Sequence, residues 1–235
     1  MKKIEICAVI PARAGSKQIK NKNILNFFGK PSLYYSLKAA KTCKKINKVL
    51  FTSDSKKYIN IAKKYYPDFL HLRSKKNSNS KSSDLDFLKE VYFHLLEKYN
   101  YKPDVFALLR ANNPTKSMKD VNSSINFFLK NYKSFSGLRS VNLMNEASYK
   151  TFYIKNNILF GVMTNKSRID KLNLPKEKFK KTYTGNGCID LIKTKNIKKN
   201  ILHGNRCYGY VTKHICVDID YKNDIDYANF ILKKN

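Results

Sequence analysis

The chain has 235 residues, 42% of them hydrophobic, and a formal charge of +30 from 47 Lys+Arg against 17 Asp+Glu. That apolar content excludes a disordered polymer, and the length suffices for one good α/β core. No apolar run reaches membrane-spanning length, and the run that follows Met1-Lys2-Lys3-Ile4-Glu5 is too short for a signal peptide, so a cytoplasmic protein with no membrane partner is expected.

Ile4 to Ala12 reads as a buried strand. Ser32 to Cys43 reads as a helix with Leu33, Leu37 and Ala40 on one face and Ser32 as its cap after Pro31. Lys48 to Thr52 is a second strand ending in Ser53-Asp54. Lys56 to Tyr66 follows as a helix, with Ile59, Ala62 and Tyr66 inward, until Pro67 stops it. Asp84 to Tyr99 is a helix striped by Leu85, Leu88, Tyr92 and Leu95, Asp104 to Leu109 a third strand, and Met118 to Asn131 another helix. This alternation predicts a parallel sheet with helices on both faces over roughly the first 135 residues. Beyond it the pattern changes. Phe135 to Leu143, Lys150 to Lys155, Asn157 to Val162, Gly187 to Lys193 and Tyr208 to Lys213 have strand character. Residues 163–182 are polar and lysine-rich, and Asn223 to Lys233 closes as a helix with Ile225, Tyr227, Ala228, Ile231 and Leu232 on its apolar side. The expected organisation is one α/β domain over 1–235 with a small subdomain or dimerisation arm inserted at about 140–185.

The most informative stretch is Ala8-Val9-Ile10-Pro11-Ala12-Arg13-Ala14-Gly15-Ser16-Lys17, followed by Lys22-Asn23-Ile24. A parallel strand delivers its C-terminal end to the binding edge of the sheet. There Gly15 allows close backbone approach and Ser16 adds a hydroxyl. Arg13, Lys17 and Lys22 can neutralise a polyphosphate, Arg13 by a two-pronged contact. The stretch is neither G-x-G-x-x-G nor a P-loop, and a plain basic surface turn is the alternative. Late in the chain, Val217-Asp218-Ile219-Asp220 sets two aspartates at i and i+2. They point the same way on an extended segment and are expected to emerge from a buried strand end after Ile215 to Val217. Such hard oxygen ligands suit Mg²⁺ shared with substrate phosphates, and a solvated turn before the last helix is the alternative.

The charge reads either as nucleic-acid binding by counterion release or as the lysine bias of an A/T-rich genome. The lysines spread along the whole chain with no basic helix or RNA-binding aromatic motif, so anionic ligands are expected and no specific nucleic acid. The five cysteines form no C-x-x-C pair, and Cys7, Cys188 and Cys216 read as reduced core residues.

A basic loop early and D-x-D late suggest nucleotidyl transfer. The whole chain resembles the CMP-sugar synthetases that activate acidic sugars, above all the acylneuraminate (CMP-sialic acid) cytidylyltransferases. The resemblance is carried by Ile10 to Lys17 with Lys22-Asn23-Ile24, Phe51-Thr52-Ser53-Asp54, Leu72-Arg73, Ser82 to Asp86, Leu108 to Pro114, Gly185-Asn186-Gly187 and Val217 to Asp220. It implies a Rossmann-like, mostly parallel sheet flanked by helices, a dimerisation subdomain and a homodimer. It also implies Mg²⁺-dependent transfer of CMP from CTP to the anomeric 2-hydroxyl of an acidic 2-keto sugar, with release of pyrophosphate. Nucleotide contacts would come from Ala12, Arg13, Gly15, Ser16, Asn23, Arg73 and Ser82. Arg13, Lys17, Lys22 and Lys176 would take the catalytic, phosphate-side roles, Lys176 from the dimerisation region. Sugar contacts would fall to Arg110, Asn112, Lys150 and Asn186, and metal binding to Asp218 and Asp220. No histidine matches a catalytic position of the family.

The departures bear on the acceptor. Arg110, in Leu108-Leu109-Arg110-Ala111-Asn112-Asn113-Pro114, stands where the family usually has a glutamine. A guanidinium accepts no hydrogen bond but grips a carboxylate. Gln18 replaces a glycine, Asp84 a polar contact residue, Asp190 a common tyrosine and Lys176 an arginine. Legionaminic, pseudaminic and eight-carbon keto-sugar acids are the variant acceptors. A non-catalytic, basic nucleic-acid-binding relative is the reading from another class.

Overall fold

The computed structural model describes residues 3–16, 18–79 and 81–234. In chain order the first half contains β1 (Ile6–Pro11), β2 (Asn26–Phe27), β3 (Lys30–Pro31), α1 (Ser32–Thr42), β4 (Lys48–Ser53), α2 (Lys56–Lys63), β5 (Phe69–Leu72), α3 (Asp84–Tyr99), β6 (Val105–Leu108) and α4 (Met118–Lys130). The second half contains β7 (Gly137–Leu143), β8 (Phe152–Lys155), β9 (Ile158–Gly161), β10 (Tyr183–Lys193), α5 (Thr194–Lys198), β11 (Cys207–Val211) and α6 (Lys222–Lys234). Short 3₁₀ turns fill some of the connections.

Seven strands form the main sheet in the order β11-β7-β10-β6-β1-β4-β5. β1 pairs in parallel with β4 and β6, β5 adds in parallel outside β4, and β10 runs antiparallel to β6. The parallel sheet expected of the first part of the chain is therefore present. A central strand buried on both faces needs a continuous apolar run, which Ile6 to Pro11 supplies. Alternation along β1 then divides the core between the two faces. Ile6, Ala8 and Ile10 cluster with Leu33 and Leu37 of α1 and with Val121, Ile125 and Phe128 of α4. Cys7 and Val9 cluster with Leu88, Val91 and Leu95 of α3 and Ile197 of α5. A third cluster packs Ala228 and Ile231 of α6 with Phe27, Val217 and Ile219.

Several local expectations are corrected. α2 ends at Lys63, before Pro67; Tyr58 is buried in it, whereas Tyr66 takes φ 51 beyond the helix and is exposed. Ser32 is the first residue of α1 rather than its cap, because its hydroxyl is used elsewhere, donating to the Ala111 carbonyl at 2.7 Å. Tyr227 of α6 is exposed. No strand forms over Ile215 to Val217. Individual bonds hold that segment instead, from Val217 N to Thr115 Oγ1 at 2.8 Å and from Ile219 N to the Asn112 carbonyl at 2.9 Å.

The chain divides into two compact units, Met1–Ser140 with Asn186–Asn235, and Val141–Gly185. The second contains the antiparallel β8–β9 hairpin. Its turn residues Asn156 and Asn157, at φ 50 and 62, take the left-handed conformation that a tight right-twisted hairpin favours, so Asn157 turns the chain instead of opening a strand. Among the described residues, no helix is long and apolar enough to cross a membrane.

Candidate active site

In the first unit, the segments leaving β1, β5 and β6 at their C-terminal ends line one cleft of about 390 Å³. The loop after β1 is braced from three sides. Ala14 N donates to Asp54 at 2.8 Å, Asn23 Nδ2 to the Arg13 carbonyl at 2.8 Å, and Ser53 Oγ to the Ala12 carbonyl at 2.6 Å. Ala12 is thus buried behind the loop, while Arg13, Lys22 and Asn23 line the cleft. Ser16 and Gln18 line a neighbouring pocket of about 320 Å³ that shares those three residues. A Cβ at Gly15 would meet nothing within 4 Å, so local packing does not require glycine there. Lys17 lies outside the described residues.

Asp218 and Asp220 line the same cleft. Asp220 is ion-paired with Lys22. Asp218 Oδ1 is buried with no hydrogen-bond partner among the described residues. Burial pushes the Asp218 carboxyl above its usual range, against the opposing pull of Lys116 and Arg110. Gly187 makes its position possible: at φ +64, a Cβ there would collide with the Asp218 carboxylate. Lys116 Nζ secures the same turn by donating to the Gly187 carbonyl at 2.9 Å. An orphaned buried carboxylate oxygen calls for a proton or a cation. Asp218 beside Asp220 is therefore a donor set that fits Mg²⁺ shared with phosphate oxygens and water. Among the described residues, no group of three or more His, Cys, Asp or Glu assembles as a metal cage.

Toward the β5 edge, the Arg73 guanidinium lies over the Phe87 ring, 4.3 Å from its centre. Arg73 is 8% exposed, and its Nε and Nη2 have no partner among the described residues. Burial lowers its pKa to about 10, which leaves it charged at neutral pH. A buried cation with free donors at a cleft wall is a site for an anionic or carbonyl oxygen. Ser82, donating to the Lys76 carbonyl at 3.0 Å, lines the cleft nearby.

On the β6 side, Arg110 Nη2 lies 2.5 Å from Asp84 Oδ2, so two of the departures meet as an ion pair. Burial works against the Arg110 charge, but Asp84, Asp190 and Asp218 outweigh it and raise the pKa. Asn112 lines the cleft and also tethers Ile219. Asn186 does not line it: its Oδ1 accepts from Cys188 N at 3.2 Å and its carbonyl from Asn113 Nδ2 at 3.0 Å. Lys150 and Lys176 belong to the second unit, where Lys150 stands 4.0 Å from Glu146 and Lys176 Nζ donates to the Asn145 carbonyl at 2.5 Å. Asn77, Asn79 and Arg139 line the cleft without having been marked by the sequence, and Lys116 acts beside it. Single cations in a chain with 47 Lys+Arg carry no signal of their own.

The sheet, its binding edge and this cleft define a Rossmann-like α/β architecture with an open cleft at the C-terminal strand ends. The cytidylyltransferase family model matches residues 7–104, the stretch from β1 through α3 to the start of β6. The chain is 28% identical over 240 residues to an N-acylneuraminate cytidylyltransferase of Escherichia coli, covering 98% of this chain and 52% of that protein. It therefore spans about half the length of that relative. It is 25% identical over 232 residues to a pseudaminic acid cytidylyltransferase of Campylobacter jejuni, covering 97% of this chain and 96% of that one. A solved structure of a CMP:2-keto-3-deoxy-manno-octonic acid synthetase complexed with CTP matches with a TM-score of 0.69 at 13% identity, over 98% of this chain and 99% of that one, a likeness of fold. The resemblance to cytidylyltransferases drawn from the motifs is borne out.

Proposed function

We propose that this chain is a Mg²⁺-dependent cytidylyltransferase that transfers CMP from CTP to the anomeric 2-hydroxyl of a sialic acid-like 2-keto sugar acid. The observation that carries this reading is one cleft lined by Arg13 and Lys22 from the start of the chain and by Asp218 and Asp220 from its end. The hydroxyl oxygen attacks the α-phosphorus and gives up its proton to solvent, the bond to the bridging β-phosphate oxygen breaks, and pyrophosphate leaves with the developing charge. Arg13, Lys17 and Lys22 meet that charge, while Arg73 and Ser82 hold the nucleotide. Positioning and electrostatic stabilisation do the work. Mg²⁺, held by Asp218 and Asp220, would supply charge neutralisation at the phosphates.

The acceptors named for the E. coli and Campylobacter relatives support an acidic nonulosonic sugar. The reading extends to a cytoplasmic homodimer assembled through the second unit, with Lys150 and Lys176 as acceptor-side and phosphate-side cations. The test is pyrophosphate release from CTP, Mg²⁺ and a panel of an N-acylneuraminic acid, pseudaminic acid, a legionaminic acid and 2-keto-3-deoxy-manno-octonic acid. Asp218→Ala and Asp220→Ala should each lower turnover about a hundredfold or more. Full turnover in Asp220→Ala defeats the metal assignment, and preference for UTP, ATP or GTP defeats the nucleotide assignment.

A further inference from the structure

The proposed reaction requires a place for the acceptor carboxylate. Sheet order separates the four arginines of the cleft: Arg73 follows β5, Arg13 follows β1, Arg110 follows β6, and Arg139 lies on β7. Neighbouring strands lie about 4.8 Å apart, so β5 and β7 are separated by on the order of 20 Å. In that order Arg73 and Arg139 fall on opposite sides of the β1 loop, to which the phosphate-side roles are assigned above.

Arg110 is occupied by Asp84 at 2.5 Å. Arg139 is not tied in this way. Its side chain is 46% exposed, and its one charged partner among the described residues is Asp190 of β10, with Nε 4.0 Å from Oδ1. Asp190 is nearly buried, with 7% side-chain exposure. At 4.0 Å this carboxylate draws the Nε edge by charge without a hydrogen bond, which leaves the Nη edge for a second, planar, two-oxygen anion.

We propose that Arg139, oriented by Asp190, anchors the carboxylate of the acceptor at the β7 end of the cleft. Arg139 is then a substrate-binding, specificity-determining residue, and Asp190 a positioning residue. The assignment rests on the CMP-transfer reading above.

The test compares wild type with Arg139→Gln and Arg139→Lys, using the acid of the panel that wild type accepts best and the methyl ester of that acid. In Arg139→Gln the acceptor KM should rise about tenfold or more while the KM for CTP stays within about twofold. The preference of wild type for acid over ester should collapse in Arg139→Gln and partly return in Arg139→Lys. If Arg139→Gln fails to fold, the acid-to-ester ratio of Arg139→Lys decides, since a lysine grips a carboxylate through a single point of contact. An unchanged ratio overturns the anchor. So does an equal loss of CTP affinity, which places Arg139 on the nucleotide side. A wild type that turns over no acid of the panel sinks the transfer reading, and the anchor with it. Wild-type turnover with an indifferent Arg139→Gln sinks the anchor alone.

Discussion

His71 shows how a single buried group ties the cleft wall to pH. It is 4% exposed, its Nδ1 lies 2.9 Å from Thr52 Oγ1, and its Nε2 lies 3.3 Å from Glu90. Burial, with the adjacent His94, pushes its pKa down to about 4. The folded value lies below the unfolded one, so the unfolded chain takes the proton first. The stability that His71 contributes is complete above about pH 6.5 and is lost as pH drops toward about 4, by about 3 kcal/mol in all. Urea midpoints measured across that window should decline with falling pH, and His71→Gln should flatten the slope; a parallel decline in the variant would refute the assignment. Gly187→Ala tests a second residue. It meets both a left-handed φ and the Asp218 carboxylate, so a loss of about 1–3 kcal/mol in thermal or chemical melts is expected. An unaffected melt would mean that Asp218 is free to move aside. At this scale the sequence showed the closely spaced cations and the aspartate pair, because each belongs to a short motif. It did not show Lys116 or Arg139, whose surroundings come from distant strands.

At the scale of elements, the segment carrying Asp218 depends on α4. Asp120, 2% exposed in the first turn of α4, accepts from Lys213 N at 3.2 Å, His214 N at 3.0 Å and His214 Nδ1 at 2.9 Å. Asp120→Ala removes the partner of two backbone N–H groups and should cost about 2–4 kcal/mol by chemical denaturation. A cost near zero would show that the approach to Asp218 is held by other bonds. α3 begins at a reciprocal cap: Asp86 Oδ2 accepts from Ser83 N at 2.9 Å and Ser83 Oγ from Asp86 N at 3.3 Å. The cap residue Ser83 immediately precedes Asp84, the first residue of the helix and the partner of Arg110. The long helices were readable because several turns repeat their apolar period. β5, with four residues, and α5, with five, are too short to show a period, and β5 is the strand that places Arg73 at the cleft.

For the whole molecule the dominant quantity is the charge of +30. Weak RNA binding is expected that disappears between about 50 and about 200 mM salt, while the proposed CMP transfer should persist. Filter binding run alongside the turnover assay checks this, and RNA binding that survives the higher salt would favour a nucleic-acid role. Local pattern alone was enough for the α/β alternation, the basic loop on a buried strand and a late acidic pair, since the first repeats its apolar periods along the chain and the other two are short motifs. The pairing of Asp84 with Arg110, of Asp190 with Arg139, and of Gly187 with the Asp218 carboxylate came from the three-dimensional arrangement. The reason is physical. Burial and charge pairing depend on which strands become neighbours, and no local period encodes that order.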